Sequence, residues 1–397
     1  MFKLLRITTV PVTLTVLLKS QLKFINNHFE VVAVSSGGEA LDELKKDIGI
    51  KVKAVQMTRR ITPVQDLLAL IGLIKTMRVE KPLIVHTHTP KAGLLGMLAA
   101  KIAGVPVRLH TVAGLPLLER AGVQRRILNF VESLTYRCAT MVYPNSKQMM
   151  EIILENNFCS PEKIKLIGKG SSNGIDTKHF DPAIFDKEYR KRHRPSMELK
   201  DNDFVFCFIG RVVADKGIHE LVSAYLDIFK KNENAKLIIV GPFEQELDPI
   251  DPLIYKEITS HPGIRWVDFK KDIRPYLAIS DVFTFPSYRE GFPNVVMQAG
   301  AMGLPAIVSD INGCNEIVRN GINGLIVPAK STEKLQSAME ALLYDQEMLE
   351  LMKVSCREEI TSAYESSFVM NELLKEYNIQ VQNYFSRGEV YLNKRYV

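Results

Sequence analysis

Short runs of β-branched and apolar residues alternate along this chain with longer segments whose apolar positions recur at helical spacing. Glu30–Ser35, Leu83–Thr87, Val107–Thr111 and Met141–Asn145 make a first series of runs. Phe204–Ile209, Leu237–Val240, Val282–Phe285, Ala306–Val308 and Leu325–Val327 make a second, separated by helix-length pieces such as His219–Lys231 and Thr332–Leu343. Strands that are nearly continuous apolar runs are buried on both faces, and alternation with helices puts them in a parallel sheet covered above and below. Two series therefore predict two doubly wound α/β domains.

The interval from Gly168 to Asp203 separates the series. It opens on Gly168-Lys169-Gly170-Ser171-Ser172-Asn173-Gly174 and closes after the charged Arg192-His193-Arg194-Pro195, a linker-like composition. The expected organisation is a first domain over residues 1–180, a second over 200–364, and a helix over about 365–397 that packs back on the first. At the N-terminus, Lys3 and Arg6 precede an apolar stretch, Ile7 to Leu18, that imitates a secretory signal. Pro11 interrupts it and no small-residue cleavage site follows, so strand, turn and helix is the better reading. No uninterrupted apolar segment reaches the ~18 residues of a membrane span. The expected location is cytoplasmic, at most peripheral on the inner face of a membrane.

Length and composition agree with that plan without naming a function. The 397 residues suit two domains, and 46% hydrophobic with 24% charged residues excludes collagenous, coiled-coil and disordered classes. The net charge of +6 conceals an asymmetry: residues 1–170 hold 24 Lys and Arg against 12 Asp and Glu, or +12, leaving 27 against 33, or −6, for the remainder. Such a split points to different partners for the two halves. The five cysteines are widely spaced, with no C-x-x-C pair, and suggest neither a disulfide framework nor a zinc site.

Two loops carry the candidate chemistry. After Phe204–Ile209, Gly210-Arg211-Val212-Val213-Ala214-Asp215-Lys216-Gly217 leads into a helix beginning near Ile218. Two cations five residues apart, beside a positive helix end, can close on one anion such as a diphosphate. A solvated surface loop would be the plainer explanation of the same charges. After Val282–Phe285 comes Pro286-Ser287-Tyr288-Arg289-Glu290-Gly291-Phe292-Pro293-Asn294-Val295-Val296-Met297-Gln298. Here a carboxylate leaves a strand end, Pro293 suits the first turn of the next helix, and Gln298 lies about one turn further in. A carboxylate, free amides and an amide side chain suit a polyhydroxylated ligand, since each hydroxyl both donates and accepts. Helix capping by Glu290 is the alternative. Neither a Walker phosphate loop nor a GxGxxG fingerprint occurs.

Taken together, Gly210-Arg211 with Lys216-Gly217, Pro286-Ser287 with Glu290-Gly291-Phe292-Pro293, and Gly303-Leu304-Pro305 followed by Ser309-Asp310, Gly313 and Glu316-Ile317-Val318 resemble the retaining GT-B glycosyltransferases of family 4. Asn173-Gly174-Ile175-Asp176 with Phe180 resembles the family's inter-domain segment. Val85-His86-Thr87-His88-Thr89-Pro90-Lys91-Ala92-Gly93 resembles the acceptor-domain loop of members that build surface polysaccharides such as capsule and lipopolysaccharide. The resemblance implies a GT-B fold, two Rossmann-like domains facing a cleft, with no metal or other cofactor. It implies a nucleotide-sugar donor, a UDP-sugar by preference, held by Gly210, Arg211, Lys216, Glu290, Gly291, Phe292, Pro293, Asn294 and Gln298. Of these, Arg211 and Lys216 would stabilise the leaving nucleoside diphosphate and Glu290 would contact the sugar, the three counting as catalytic.

Gln298 stands where the family's E-x7-E pattern usually has Glu on the ribose hydroxyls; an amide can still accept from one hydroxyl and donate to another oxygen. Two further departures are Ala113 in place of a His before Gly114, and a loop Thr8–Thr13 without the usual glycine pair. His86, His88 and Lys91 would face a polyprenyl-pyrophosphate-linked or oligosaccharide acceptor, Lys91 at its phosphate. One of the two histidines is expected to be packed or hydrogen-bonded and the other to face the cleft.

H-x-H at a strand end invites a metal, but no third ligand of suitable spacing is nearby. The basic excess gathers at Arg59-Arg60, Lys91, Lys101, Arg108, Arg120, Arg125-Arg126 and Arg137. Between Arg120 and Arg137 it is interleaved with Ile127, Leu128, Phe130, Val131 and Leu134, as in an amphipathic helix at an anionic membrane. Nucleic acid has no accompanying motif here. A nucleotide-sugar epimerase or a non-catalytic nucleotide-sugar-binding protein of the same fold are the alternative functions.

Overall fold

The computed structural model describes the chain apart from residues 116, 118–121, 247 and 394–397. It divides into two units: residues 1–174 joined by the C-terminal helix from Ser367, and Ile175–Ser366. The division falls at Gly174, so the charged segment up to Asp203 belongs to the second unit.

The first unit is built on a six-stranded parallel sheet, β1 (Lys3–Ile7), β2 (Glu30–Ser35), β3 (Lys51–Ala54), β4 (Ile84–His88), β5 (Val107–Val112) and β6 (Met141–Pro144), in the order β3-β2-β1-β4-β5-β6. In register, Leu5 lies beside Val32 on one side and Val85 on the other. Because successive side chains point to opposite faces, Leu5, Ile7, Val32, Val34 and Val85 build one core with Leu73 and Met77 of the helix Pro63–Glu80 and Met97 of the helix Pro90–Ile102. Leu4, Val31, Ala33, Ile84 and Leu109 build the other with Leu14, Leu18 and Leu22. The C-terminal helix, Ser366–Asn393, completes this second core with Leu373, Tyr377 and Val381. Each such buried side chain contributes up to ~1.5–3 kcal/mol. The apolar stretch at the N-terminus begins where β1 ends and folds as a turn, a short π-helical segment Thr13–Leu17 and the helix Lys19–Ile25.

The second unit repeats the plan with β7 (Phe204–Ile209), β8 (Ala235–Val240), β9 (Ile264–Val267), β10 (Val282–Phe285), β11 (Ala306–Ser309) and β12 (Gly324–Val327), ordered β12-β11-β10-β7-β8-β9. All pairings are parallel, and Val282 and Phe283 of β10 lie beside Phe206 and Cys207 of β7. Strand order reverses at this pair, and ligands of open parallel sheets bind beyond the carboxyl ends at that reversal. Ile175 closes the unit by pairing with the backbone of Tyr364 and Ser366.

The apolar runs of the sequence correspond to nine of these strands, and β1 is the strand expected before the N-terminal turn. The sequence reading lacks β3 and β9, both at sheet edges. β3 exposes Lys51 and Lys53, and β9 carries Arg265 and a partly exposed Trp266.

Candidate functional site

In the second unit the two candidate loops leave neighbouring strands. The loop after β7 is anchored by the fully buried Val212 and Val213 and by the bond from Val212 N to Pro242 O. A 3₁₀ turn over Ala214–Lys216 and Gly217 then pass the chain to the helix Ile218–Lys231. Gly217 has φ +69°, and a Cβ there would lie 2.1 Å from the carbonyl oxygen of Pro286 on the second loop. Only glycine permits this approach. Further bonds lock the loops together: Tyr288 N donates to Asp215 O at 2.9 Å, and Arg289 pairs with the Asp215 carboxylate at 2.8 Å.

The outcome is a direct ion pair. Lys216 Nζ stands 2.5 Å from Glu290 Oε1, and both side chains are largely shielded from solvent. Ser287 Oγ donates to the same oxygen at 3.1 Å, while Asn312 Nδ2 donates to the backbone oxygens of Glu290 and Gly291. Arg211 turns elsewhere, to Glu244 Oε2 at 2.8 Å. Partial burial works against its cation, but the bond to Glu244 and the fields of Glu244, Asp215 and Glu290 hold it above its ordinary pKa. The two cations thus do not share a partner; each meets its own carboxylate. Glu244, Ser287 and Asn312 complete the arrangement. Glu244 carries no motif, although its position just past β8, at the same sheet end, was a usable signal.

Pro293 sits one position outside the first turn it was expected to occupy: it is the N-cap of the helix Asn294–Ala301, and no side chain caps that helix. Glu290 is therefore an ion-pair partner and not a cap. Phe292 and Pro293 are buried, while Gln298 is half-buried on the same helix.

In the first unit, His86 is fully buried. Its Nδ1 accepts from Arg6 Nη1 at 2.9 Å and lies 2.7 Å from Tyr377 OH, which puts its proton on Nε2, 2.7 Å from Thr111 Oγ1. His88, only 4% exposed, stacks on it at 4.7 Å. Neither histidine is open to solvent, so the expectation of one packed and one facing outward fails: residues 86 and 88 point to the same face of β4, beneath the C-terminal helix. Burial, and then the charge of Arg6, push both well below the usual histidine pKa. Lys91 pairs with Asp66 at 2.7 Å and also bonds Thr58 Oγ1 and Arg60 O. Among the described residues no His, Cys, Asp and Glu side chains gather in a group that could hold a metal ion.

The basic helix folds as Gly122–Cys138; Arg120 lies outside the described residues. It buries Thr135, Tyr136 and Cys138 and exposes Val123, Ile127 and Phe130 alongside Arg126 and Arg137. Among the described residues no helix is long and apolar enough to cross a membrane.

Comparison with known proteins decides the family. The profile of the glycosyl transferase 4-like domain matches residues 26–170, and that of the glycosyl transferases group 1 matches residues 189–358. The chain is 32% identical over 379 residues to the capsular polysaccharide biosynthesis glycosyltransferase CapM of Staphylococcus aureus, covering 95% of this chain and 97% of that one. The chain belongs to the family 4 glycosyltransferases.

A second relative of this transferase is the UDP-Gal:alpha-D-GlcNAc-diphosphoundecaprenol alpha-1,3-galactosyltransferase of Escherichia coli, 29% identical over 343 residues and covering 85% of this chain and 86% of that one. Among solved structures, HepE of Anabaena in complex with UDP superposes with a TM-score of 0.79 at 18% identity, over 95% of this chain and all of that one. That likeness fixes the fold of the transferase as GT-B, two Rossmann-like domains. Both matching profiles are those of glycosyl transferases, and neither favours an epimerase or a non-catalytic binding protein.

Proposed function

We propose that this glycosyltransferase moves a sugar, with retention of anomeric configuration, from a UDP-sugar to a polyprenyl-diphosphate-linked or oligosaccharide acceptor during surface-polysaccharide assembly. The observation that carries the reading is the Lys216–Glu290 pair at the strand reversal of the second unit. On donor binding the diphosphate takes the place of Glu290 against Lys216 and of Glu244 against Arg211. Both cations then face the oxygens on which charge grows as the nucleoside diphosphate departs, where preorganised positive charge is most effective. That neutralisation makes a divalent cation unnecessary. Glu290, released from Lys216, accepts from a donor-sugar hydroxyl, and Gln298 takes the ribose hydroxyls. The names of the Escherichia coli and Staphylococcus aureus relatives and the UDP bound to HepE support donor, acceptor and pathway.

In the acceptor unit, Lys91 exchanges Asp66 for an acceptor phosphate, while His86 and His88 support the wall from within. The apolar side chains exposed on Gly122–Cys138, together with Val64, Leu67, Leu68 and Ile71 of the helix Pro63–Glu80 next to the exposed Arg59 and Arg60, rest on the anionic inner leaflet that carries such an acceptor.

Incubating the purified chain with UDP-sugars and a polyprenyl-diphosphate sugar, with EDTA present, tests this directly. The expected result is an acceptor heavier by one glycosyl unit, its new linkage keeping the donor's anomeric configuration by NMR. Conversion of the donor without an acceptor, or UDP binding with no turnover, overturns it.

A further inference from the structure

The chain buries two arginines equally, each 1% exposed, and treats them differently. Arg194, in the second unit, pairs with the Asp281 carboxylate at 3.0 Å and donates to the carbonyls of Lys200, Asp201, Asp203 and Ile279. Arg6, at the centre of the first unit's sheet, meets only neutral groups: Gln21 Oε1, His86 Nδ1 and the Tyr377 hydroxyl. Among the described residues no carboxylate lies within ion-pair distance of it. Glu376, beside Tyr377 in sequence, is engaged by Lys165 at 2.5 Å and Tyr143 at 3.0 Å. Arg6 Nε has no acceptor within the protein. A buried cation without a counter-charge is among the most costly arrangements in a protein interior.

Arg6 also lines a small cavity whose wall includes His88, Thr111, Asn145 and Ser172. Of its other polar side chains, Gln21, His86, Tyr143 and Ser171 are engaged within the protein, and three carry an unpaired atom. Ser172 Oγ and His88 Nε2 are buried and unpaired in the protein. Thr111 Oγ1 accepts the Nε2 proton of His86, which leaves its own proton to donate. Asn145 Oδ1 is likewise unpaired; a half-turn of that amide presents its NH₂ instead. The cavity measures about 20 Å³, the room of one or two water-sized groups. A water molecule would satisfy a donor but leave the charge of Arg6 uncompensated, whereas a monatomic anion supplies both an acceptor and the counter-charge.

We propose that this cavity is a halide site, holding one chloride against Arg6 Nε, Thr111, Ser172 and His88, as the counter-ion of Arg6 in the first unit's core. The site belongs wholly to the first unit, whereas the donor chemistry is proposed for the second. Because Arg6 also holds Tyr377, the anion strengthens the attachment of the C-terminal helix to the sheet. Loss of chloride therefore loosens that helix first.

Thermal unfolding of the full chain in sodium chloride and in sodium gluconate at equal ionic strength tests the idea. Chloride at about ten times its dissociation constant is expected to raise the Tm by about 3–5 °C, and gluconate to speed amide exchange in residues 367–386. Arg6→Met is expected to abolish the difference; should that variant fail to fold, Ser172→Ala and Thr111→Val serve, each shrinking the chloride shift. Crystals grown in sodium bromide should show an anomalous peak beside Arg6 Nε. No bromide peak in the cavity, no difference between chloride and gluconate, or a difference that persists unchanged in every variant overturns the proposal.

Discussion

Lys216 and Glu290 lie 74 positions apart in sequence, yet their charged atoms are 2.5 Å apart. The contact exists because β7 and β10 are neighbours at the strand reversal, and it holds a cation and a carboxylate at one place, the arrangement on which the proposed donor site rests.

Lys216→Ala and Arg211→Ala should each lower kcat by about 10²–10³, the usual loss when one preorganised charge is removed from a developing anion. Arg211→Ala should change stability little, because its pair with Glu244 is substantially exposed and contributes at most ~1 kcal/mol, whereas Lys216→Ala should cost more, because it leaves the shielded Glu290 carboxylate unpaired. Steady-state kinetics beside circular dichroism separates the effects; near-native turnover in either variant contradicts the role given to that cation.

Gln298→Glu should keep kcat within a few fold and change chiefly the donor KM, since a carboxylate also accepts from ribose hydroxyls. Abolished activity in a folded Gln298→Glu protein would remove residue 298 from the ribose site.

Gly217→Ala should cost about 1–3 kcal/mol, from a methyl forced into positive φ and against the Pro286 carbonyl. Urea unfolding measures the cost. Turnover should fall as well, because the two loops can no longer approach; a Gly217→Ala chain as stable and active as the parent would show the contact to be inessential.

Burial pushes the Glu132 carboxyl up to about 7. Between its unfolded value near 4.5 and 7, the folded chain holds a proton there that the unfolded chain releases, so this residue makes stability fall as pH rises through that window and leaves it level above. His110, which lines a second small cavity together with Glu132, is pushed down to about 4 by burial and acts oppositely, adding stability as pH rises from about 4 to 6.5. Glu132→Gln should therefore gain about 2–3 kcal/mol on the parent between pH 4.5 and 7.5, measured as the difference of two urea series. A difference independent of pH would show that Glu132 is charged in the fold.

The full chain should bind anionic vesicles at low salt and leave them as salt rises, and Phe130→Asp with Ile127→Asp should weaken binding at all salt concentrations. Sedimentation with vesicles measures both. Equal binding to neutral and anionic vesicles would detach the +12 charge of the first 170 residues from any membrane role.

Much of the fold was legible because buried parallel strands write themselves as unbroken apolar runs, β7 and β10 above all. Two of the four edge strands do not: Lys51 and Lys53 of β3 face solvent, and β9 carries Arg265 and the exposed Trp266, so neither leaves a core pattern. In the site, Lys216 and Glu290 were visible as residue types at strand ends, but their contact depends on which strands are neighbours. Glu244 belongs to no motif and was marked only by its place just past β8, and Arg211's choice of it is a matter of loop geometry. Arg6 imitates the charged start of a secretory signal; that it is buried depends on Tyr377, 371 positions away, which no local pattern reports.

The return of the C-terminal helix to the first unit also sets an order of assembly. Tyr377 and Leu373 cover β1, yet they leave the ribosome only after the whole of the second unit has followed β1 out. At 5–20 residues per second, the intervening Ile175–Ser366 unit takes about 10–40 s to emerge. The second unit has all its strands before the first has all its core, so a stalled chain ending near Ser366 should resist protease from Ile175 onward and be cut before it. Of the two units, the one whose strands are made first is the one that finishes folding last.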